Sequence, residues 1–314
     1  MASESRFKRI MVPLDGSDFA EASLSWALAL ARRDKARLDL VAVVSPYAFP
    51  NPRNPQEEAI VQGWFTEEEE RLTRYLTEAK GRIDADVEVR THTPKGRIVP
   101  TLLERAEVFE SDLIVMTTHG RGGLQRVWLG SVADTLLREA SQPVLVIPAR
   151  DEEDAPDLGE PALNRILVPL DGSDRSEAVL ESAAGIAVRS GATLSLLTIL
   201  PRPMSQDRSF VAYGLDDGES TGLMLEGLQS YVESLAAELR EQGVEVETAA
   251  IQAASAADGI LERAAEEPAD LIMLATRGRG GMRRMMLGSV ADKVIRGAGL
   301  PVLVHRVPED REDD

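Results

Sequence analysis

The sequence predicts an α/β protein of two tandem domains, each built on a doubly wound five-stranded parallel sheet, and two features of its 314 residues lead there. The first is an internal repeat. Arg9-Ile10-Met11-Val12-Pro13-Leu14-Asp15-Gly16-Ser17-Asp18 returns as Arg165-Ile166-Leu167-Val168-Pro169-Leu170-Asp171-Gly172-Ser173-Asp174, and Leu129-Gly130-Ser131-Val132-Ala133-Asp134 returns as Leu287-Gly288-Ser289-Val290-Ala291-Asp292. Two ends of a unit recurring at nearly one offset mean that a whole domain is duplicated, because a solenoid repeats at a much shorter period. The second feature is the alternation of short apolar runs with helical stretches inside each copy, the pattern of strand–helix–strand units.

In copy one, Arg9 to Leu14 is an apolar run ending at Asp15-Gly16, as a buried parallel strand would. Asp18 with Glu21, and Asp174 with Glu177, have capping-box spacing at the start of a helix. That helix is the Ala- and Leu-rich stretch Ala20 to Arg33, and Leu38 to Val44 is the next strand. The Pro-rich stretch Pro46 to Pro55 leads into a long polar-faced helix, about Gln56 to Ala79, whose Glu67 to Glu70 read as a solvated surface. Val87 to Thr91 reads as a strand, Ile98 to Ala106 as a helix and Leu113 to Thr117 as a strand. The helix Val132 to Glu139 and the strand Val144 to Ile147 complete the unit, and copy two repeats the order. The domains are expected at 1–150 and 164–308, joined by a linker at 151–163 that is acidic and carries Pro and Gly. Right-handed crossovers then give an open, Rossmann-like sheet, which binds ligands beyond the carboxyl ends of its strands, at the switch in strand order.

Composition narrows the partners. The formal net charge of −18 disfavours nucleic acid and anionic membrane surfaces. No apolar run approaches the ~20 residues of a membrane span, and no apolar stretch precedes Ile10 as a secretory signal would require. The absence of cysteine excludes disulfides and thiolate chemistry, and with these features points to the cytoplasm.

The loop after the fourth strand runs Thr117-Thr118-His119-Gly120-Arg121-Gly122-Gly123 and on to Gly130-Ser131, and in copy two from Ala275 through Gly278-Arg279-Gly280-Gly281 to Gly288-Ser289. Glycines let the backbone approach a phosphate closely, and the Gly-Ser pair opens a helix whose unpaired N–H groups favour an anion. The first loop carries Arg121 and Arg126, the second Arg277, Arg279, Arg283 and Arg284, and neither contains a carboxylate. The bland alternative is a glycine turn with solvated arginines. Asp15 and Asp171 end the first strand of each copy, where an acid can hydrogen-bond ribose hydroxyls or simply form the Asp-Gly turn. No Gly-x-x-x-x-Gly-Lys-Ser/Thr, no Gly-x-Gly-x-x-Gly after the first strand and no Gly-x-Ser-x-Gly is present. The histidines 92, 119 and 305 lack metal-ligand spacing, so any Mg²⁺ would be held mainly by nucleotide phosphates.

These residues resemble the universal stress protein family, once per copy over nearly the whole chain. The family's ATP-binding branch carries Gly-x₂-Gly-x₉-Gly-Ser/Thr after its fourth strand. Gly120 with Gly130-Ser131, and Gly278 with Gly288-Ser289, match its last part, while Thr117 and Ala275 stand at its first glycine. The resemblance implies ATP or a similar adenine nucleotide as cofactor in each copy, with weak or no hydrolysis and no catalytic residues. It implies nucleotide contacts at Thr117, Gly120, Arg121, Gly130, Ser131 and Val132, and in copy two at Ala275, Gly278, Arg279, Gly288, Ser289 and Val290, with Gly120, Gly130, Ser131 and their copy-two partners holding the phosphates. It also implies a ribose contact at Asp15 and Asp171 and adenine contacts from the backbone at Val43 and Ile199. Pairing of two domains through their last strands follows from it too, inside the chain through Val144 to Ile147 and Val302 to Val304 or in a homodimer. The other readings of the chain are an interaction protein using the same fold for dimerisation, and an ATP-cleaving or adenylating enzyme. The enzyme would need a Ser-Gly-Gly-x-Asp-Ser loop where Pro13 to Asp18 stand.

Overall fold

A computed structural model describes residues 7–45, 54–118, 129–148, 160–202, 217–277 and 287–307, with backbone alone at 217–219 and 277. The described residues form two compact units, one within residues 7–161 and one within residues 162–307. The first contains β1 (Arg9–Pro13), α1 (Asp18–Asp34), β2 (Arg37–Val41), α2 (Pro55–Gly81), β3 (Val89–His92), α3 (Ile98–Val108), β4 (Leu113–Thr117), α4 (Ser131–Glu139) and β5 (Val144–Ile147). The second contains β6 (Arg165–Leu170), α5 (Asp174–Glu177), α6 (Leu180–Ser190), β7 (Thr193–Pro201), α7 (Asp217–Glu241), β8 (Val246–Ala253), α8 (Ala256–Glu266), β9 (Leu271–Arg277), α9 (Ser289–Gly297) and β10 (Val302–Val307).

The strand order is β3-β2-β1-β4-β5 in the first unit and β8-β7-β6-β9-β10 in the second, every pair within a unit parallel. Consecutive residues of these strands are buried, among them Ile10, Met11 and Val12 and all of β4 and β5, because helices cover both faces of each sheet. The switch in strand order falls between β1 and β4, and between β6 and β9. β1 is paired with β2 along all five residues, but with β4 at Ile10↔Leu113 and Met11↔Ile114, near the amino ends. β6 and β9 repeat this at Ile166↔Leu271 and Leu167↔Ile272. Each unit therefore opens a crevice where its central strands part, at their carboxyl ends.

An aspartate pins the start of each central strand. Asp112 accepts from the backbone N–H groups of Lys8 (2.7 Å) and Arg9 (3.1 Å), and Asp270 accepts from those of Asn164 (2.6 Å) and Arg165 (3.1 Å). Burial pushes the Asp112 carboxyl up, with these backbone bonds working against the shift.

Three expectations need correction. The helix N-cap is Ser17, not Asp18: its hydroxyl accepts from Ala20 N, and Ser173 does the same for Ser176 N. Glu21 and Glu177 do not close a capping box. Glu21 is buried in an ion pair with Arg82 (2.7 Å), and Glu177 accepts from the Tyr231 hydroxyl (2.7 Å). The helix after the first strand is also not identical in the two copies, being continuous as α1 but divided into α5 and α6 by a turn at Ala178 and Val179.

Candidate functional site

The crevice of the first unit holds a cavity of about 610 Å³. Asp15, Val43, Thr117, Gly130, Ser131 and Val132 all line it, so six of the eight residues expected for copy one meet in one space. The other two, Gly120 and Arg121, lie outside the described residues, as do His119, Gly278 and Arg279.

Asp15 owes its place to a tight turn. Its Oδ1 accepts from Ser17 N (3.0 Å) and from the Ser17 hydroxyl (2.6 Å), and Gly16 between them adopts φ 81°, which favours glycine. Asp171 repeats the arrangement with Ser173 at 3.1 and 2.6 Å, and Gly172 has the same φ of 81°. Asp15 thus forms the Asp-Gly-Ser turn and also lines the cavity. Burial raises the Asp171 pKa, but hydrogen bonds from Ser173 and Ser176 outweigh it and hold the carboxyl below its ordinary value.

Val43 follows from the alternation of a parallel ladder. Ala42 N donates to His92 O (3.0 Å) and Val44 N to Pro94 O (2.9 Å), so even-numbered residues bond toward β3. Odd-numbered ones face β1, as Val41 O does in accepting from Leu14 N (2.9 Å). At Val43 the central strand has already turned away, so the Val43 amide and carbonyl face the crevice. Ile199 keeps this orientation, since Leu194 N and Arg202 N bond toward β8 at Glu245 O and Ala253 O, both 2.8 Å. Its side chain lies against Gly259 of α8.

The opposite wall is the start of α4. Gly130 N donates to Thr118 O (2.7 Å), and Gly130, at the N-cap, has no side chain with which to cap the helix. The residues of its first turn, Ser131, Val132 and Ala133, line the cavity, and the first N–H groups of a helix have no partner within the helix itself. Gly130 has φ −60° and Gly288 φ −55°, ordinary values for any residue, and a Cβ on Gly288 would meet nothing within 4 Å. Among the described residues, neither backbone strain nor packing therefore calls for glycine at 288, which stands before a helix N-terminus. Ser289 opens α9 and Val290 is exposed beside it. Thr117 is the last residue of β4, whereas Ala275 lies two residues inside the longer β9.

Sequence reasoning missed the contribution of α2. Most of this helix is exposed, but Trp64, Glu68 and Leu72, spaced by four along one face, line the cavity. Glu68 accepts two bonds from Arg71, both 2.7 Å. That pairing and the nearby Asp15 carboxylate raise the Arg71 pKa. Ile98 and Leu102 of α3 add apolar surface. The four-residue spacing of 64, 68 and 72 was the available signal, obscured by the acidic run around it.

The model of the Universal stress protein family matches residues 6–148 and again 162–306. The chain is 29% identical over 306 residues to a universal stress protein of Mycolicibacterium smegmatis, covering 95% of this chain and 96% of that one. It is 30% identical over 302 residues to a universal stress protein of Mycobacterium tuberculosis, again covering 95% and 96%. Among solved structures, a universal stress protein from Archaeoglobus fulgidus matches with a TM-score of 0.69 at 20% identity, over 98% of both chains, a likeness of fold.

Proposed function

Because the chain belongs to the universal stress protein family, we propose that it binds ATP or a similar adenine nucleotide in each copy and acts in the cytoplasm as a stress-response regulatory module with little or no hydrolysis. The observation that carries this reading is the cavity of about 610 Å³, whose two ends differ in chemistry. One part, from β2, α2 and α3, is mostly apolar, with Val43, Trp64, Leu72, Ile98 and Leu102 beside the carboxylate of Glu68, and suits a base. The other holds Thr117, Thr118, Gly130 and Ser131 at an uncapped helix start, and suits phosphate. Asp15 stands between them, in reach of a ribose. The volume is that of a small-molecule site. A Mg²⁺ entering with the nucleotide is held mainly by its phosphates. No helix among the described residues is long and apolar enough to cross a membrane.

Calorimetry with ATP tests the reading on the native chain and on Gly130→Glu combined with Gly288→Glu. The native chain is expected to bind and the double variant, which puts a carboxylate before each helix start, is not. Turnover is expected to stay well below the ~1 s⁻¹ of ordinary enzymes. One observation favours a second reading, an interaction protein on the same fold: Thr117 and Ala275 stand where the family motif has its first glycine. No heat of binding up to millimolar ATP would transfer the assignment to that reading.

A further inference from the structure

We propose that Trp64 is the platform on which the base stacks in the first copy, making this copy the base-selective one; the inference rests on the nucleotide reading above. The strand order puts β2 and β4 on opposite sides of β1, so the crevice is divided into a β2 side and a β4 side. The helix start that suits phosphate belongs to the β4 side. The base is then left to the side walled by Val43, Leu72, Ile98 and Leu102. Trp64 is the one aromatic among the described residues lining the cavity.

The indole is held by a rigid element. Helix α2 is seated through buried Leu72, Leu76 and Ala79 and tied at its far end by the Arg82–Glu21 pair. Lys95, on the loop after β3, reaches Glu69 at 2.7 Å. Phe65 meets the Trp64 ring edge-on at a centroid distance of 5.4 Å and 66°. A half-buried indole fixed in this way presents area to a flat ligand with little ordering left to do.

Among the described residues, the second copy has no aromatic at the corresponding place on its long helix. Aligning the buried triplet Leu72, Leu76 and Ala79 with Val232, Ala236 and Leu239 of α7 brings Met224 to the place of Trp64 and Leu228 to that of Glu68. Met224 is half exposed and aliphatic. It offers contact without a π-face, so the second copy distinguishes bases less.

The test uses the full chain carrying Gly288→Glu, expected to silence the second copy, titrated with ATP and with CTP. Trp64→Leu is expected to weaken ATP binding roughly tenfold to a hundredfold, the range of base–aromatic stacking. CTP, with its smaller ring, loses less, so the preference for ATP shrinks several-fold. Trp64→Phe keeps most of the ATP affinity, which separates stacking from a folding defect. Equal losses for ATP and CTP, or an unchanged ATP affinity in Trp64→Leu, would overturn the role of Trp64 while leaving the nucleotide site standing. A chain with an intact first copy that binds no ATP would remove both.

Discussion

Asp171 and the serine two residues on form one unit, and its acid behaviour follows from a few bonds. The hydrogen bonds from Ser173 and Ser176 hold the folded carboxyl below its ordinary value despite burial. A carboxyl with a depressed folded pKa stabilises the fold above its unfolded value, and that contribution fades as pH falls through the range below about 4. Ser173→Ala is expected to move the Asp171 titration upward toward the ordinary value, as followed by NMR of the carboxyl carbon. The variant also loses the cap on α5, so part of its instability, about 1 kcal/mol, persists at low pH while the Asp171 part disappears. An unchanged titration would show that Ser173 does not set the acidity of Asp171. The Asp-Gly-Ser turn itself was legible in the sequence. The cap was misplaced by one residue because Ser and Asp cap about equally well, and the extended backbone of Ser17 decides between them.

Helix α2 marks the limit of reading elements from local pattern. The parallel strands β4 and β5 have the bounds that the apolar runs give, since burial on both faces makes the whole strand apolar. Its acidic run made α2 look solvated, yet one face reaches the crevice. Glu21 is 61 residues from Arg82, a separation that no periodicity reports. Their pair fastens α1 to the end of α2, with the Tyr75 hydroxyl buried beside Glu21 and pushed upward in pKa by burial first and by the carboxylate second. Arg82→Ala strands a carboxylate that is 5% exposed, and is expected to lower stability by about 1–2 kcal/mol in urea unfolding. The figure is below that for a fully buried pair because the Arg82 side chain is 43% exposed. A loss under ~0.3 kcal/mol would mean that the buried triplet alone seats the helix.

The duplicated molecule carries a formal charge of −18, and self-repulsion at that charge opposes the compact state. Raising NaCl from about 10 to 200 mM is expected to raise the Tm by a few degrees, because surface repulsion is screened over the shorter Debye length. A flat or falling Tm would show that the ion pairs spread over both units, such as Asp134–Arg138 and Asp292–Arg296, dominate instead. At this scale the fold was readable almost entirely from the repeat. Differences between the copies were not: β7 and β8 pair over eight residues and β2 and β3 over four, though the first-strand motifs match closely. The pairing length depends on contacts between distant segments, whereas the motif is local.

The two Asp-Gly-Ser turns bear, finally, on how the protein ages. An Asp-Gly bond is chemically fragile, since the glycine amide meets no side chain when it attacks the carboxyl carbon and closes to a cyclic imide. At 15–16 and 171–172 the serine N–H and hydroxyl grip the carboxyl through Oδ1. A side chain so tethered rarely swings onto its own glycine amide. The turn that fixes each aspartate therefore also guards it against isomerising into the β-linked form, which would displace the carboxyl and shorten the working life of the molecule.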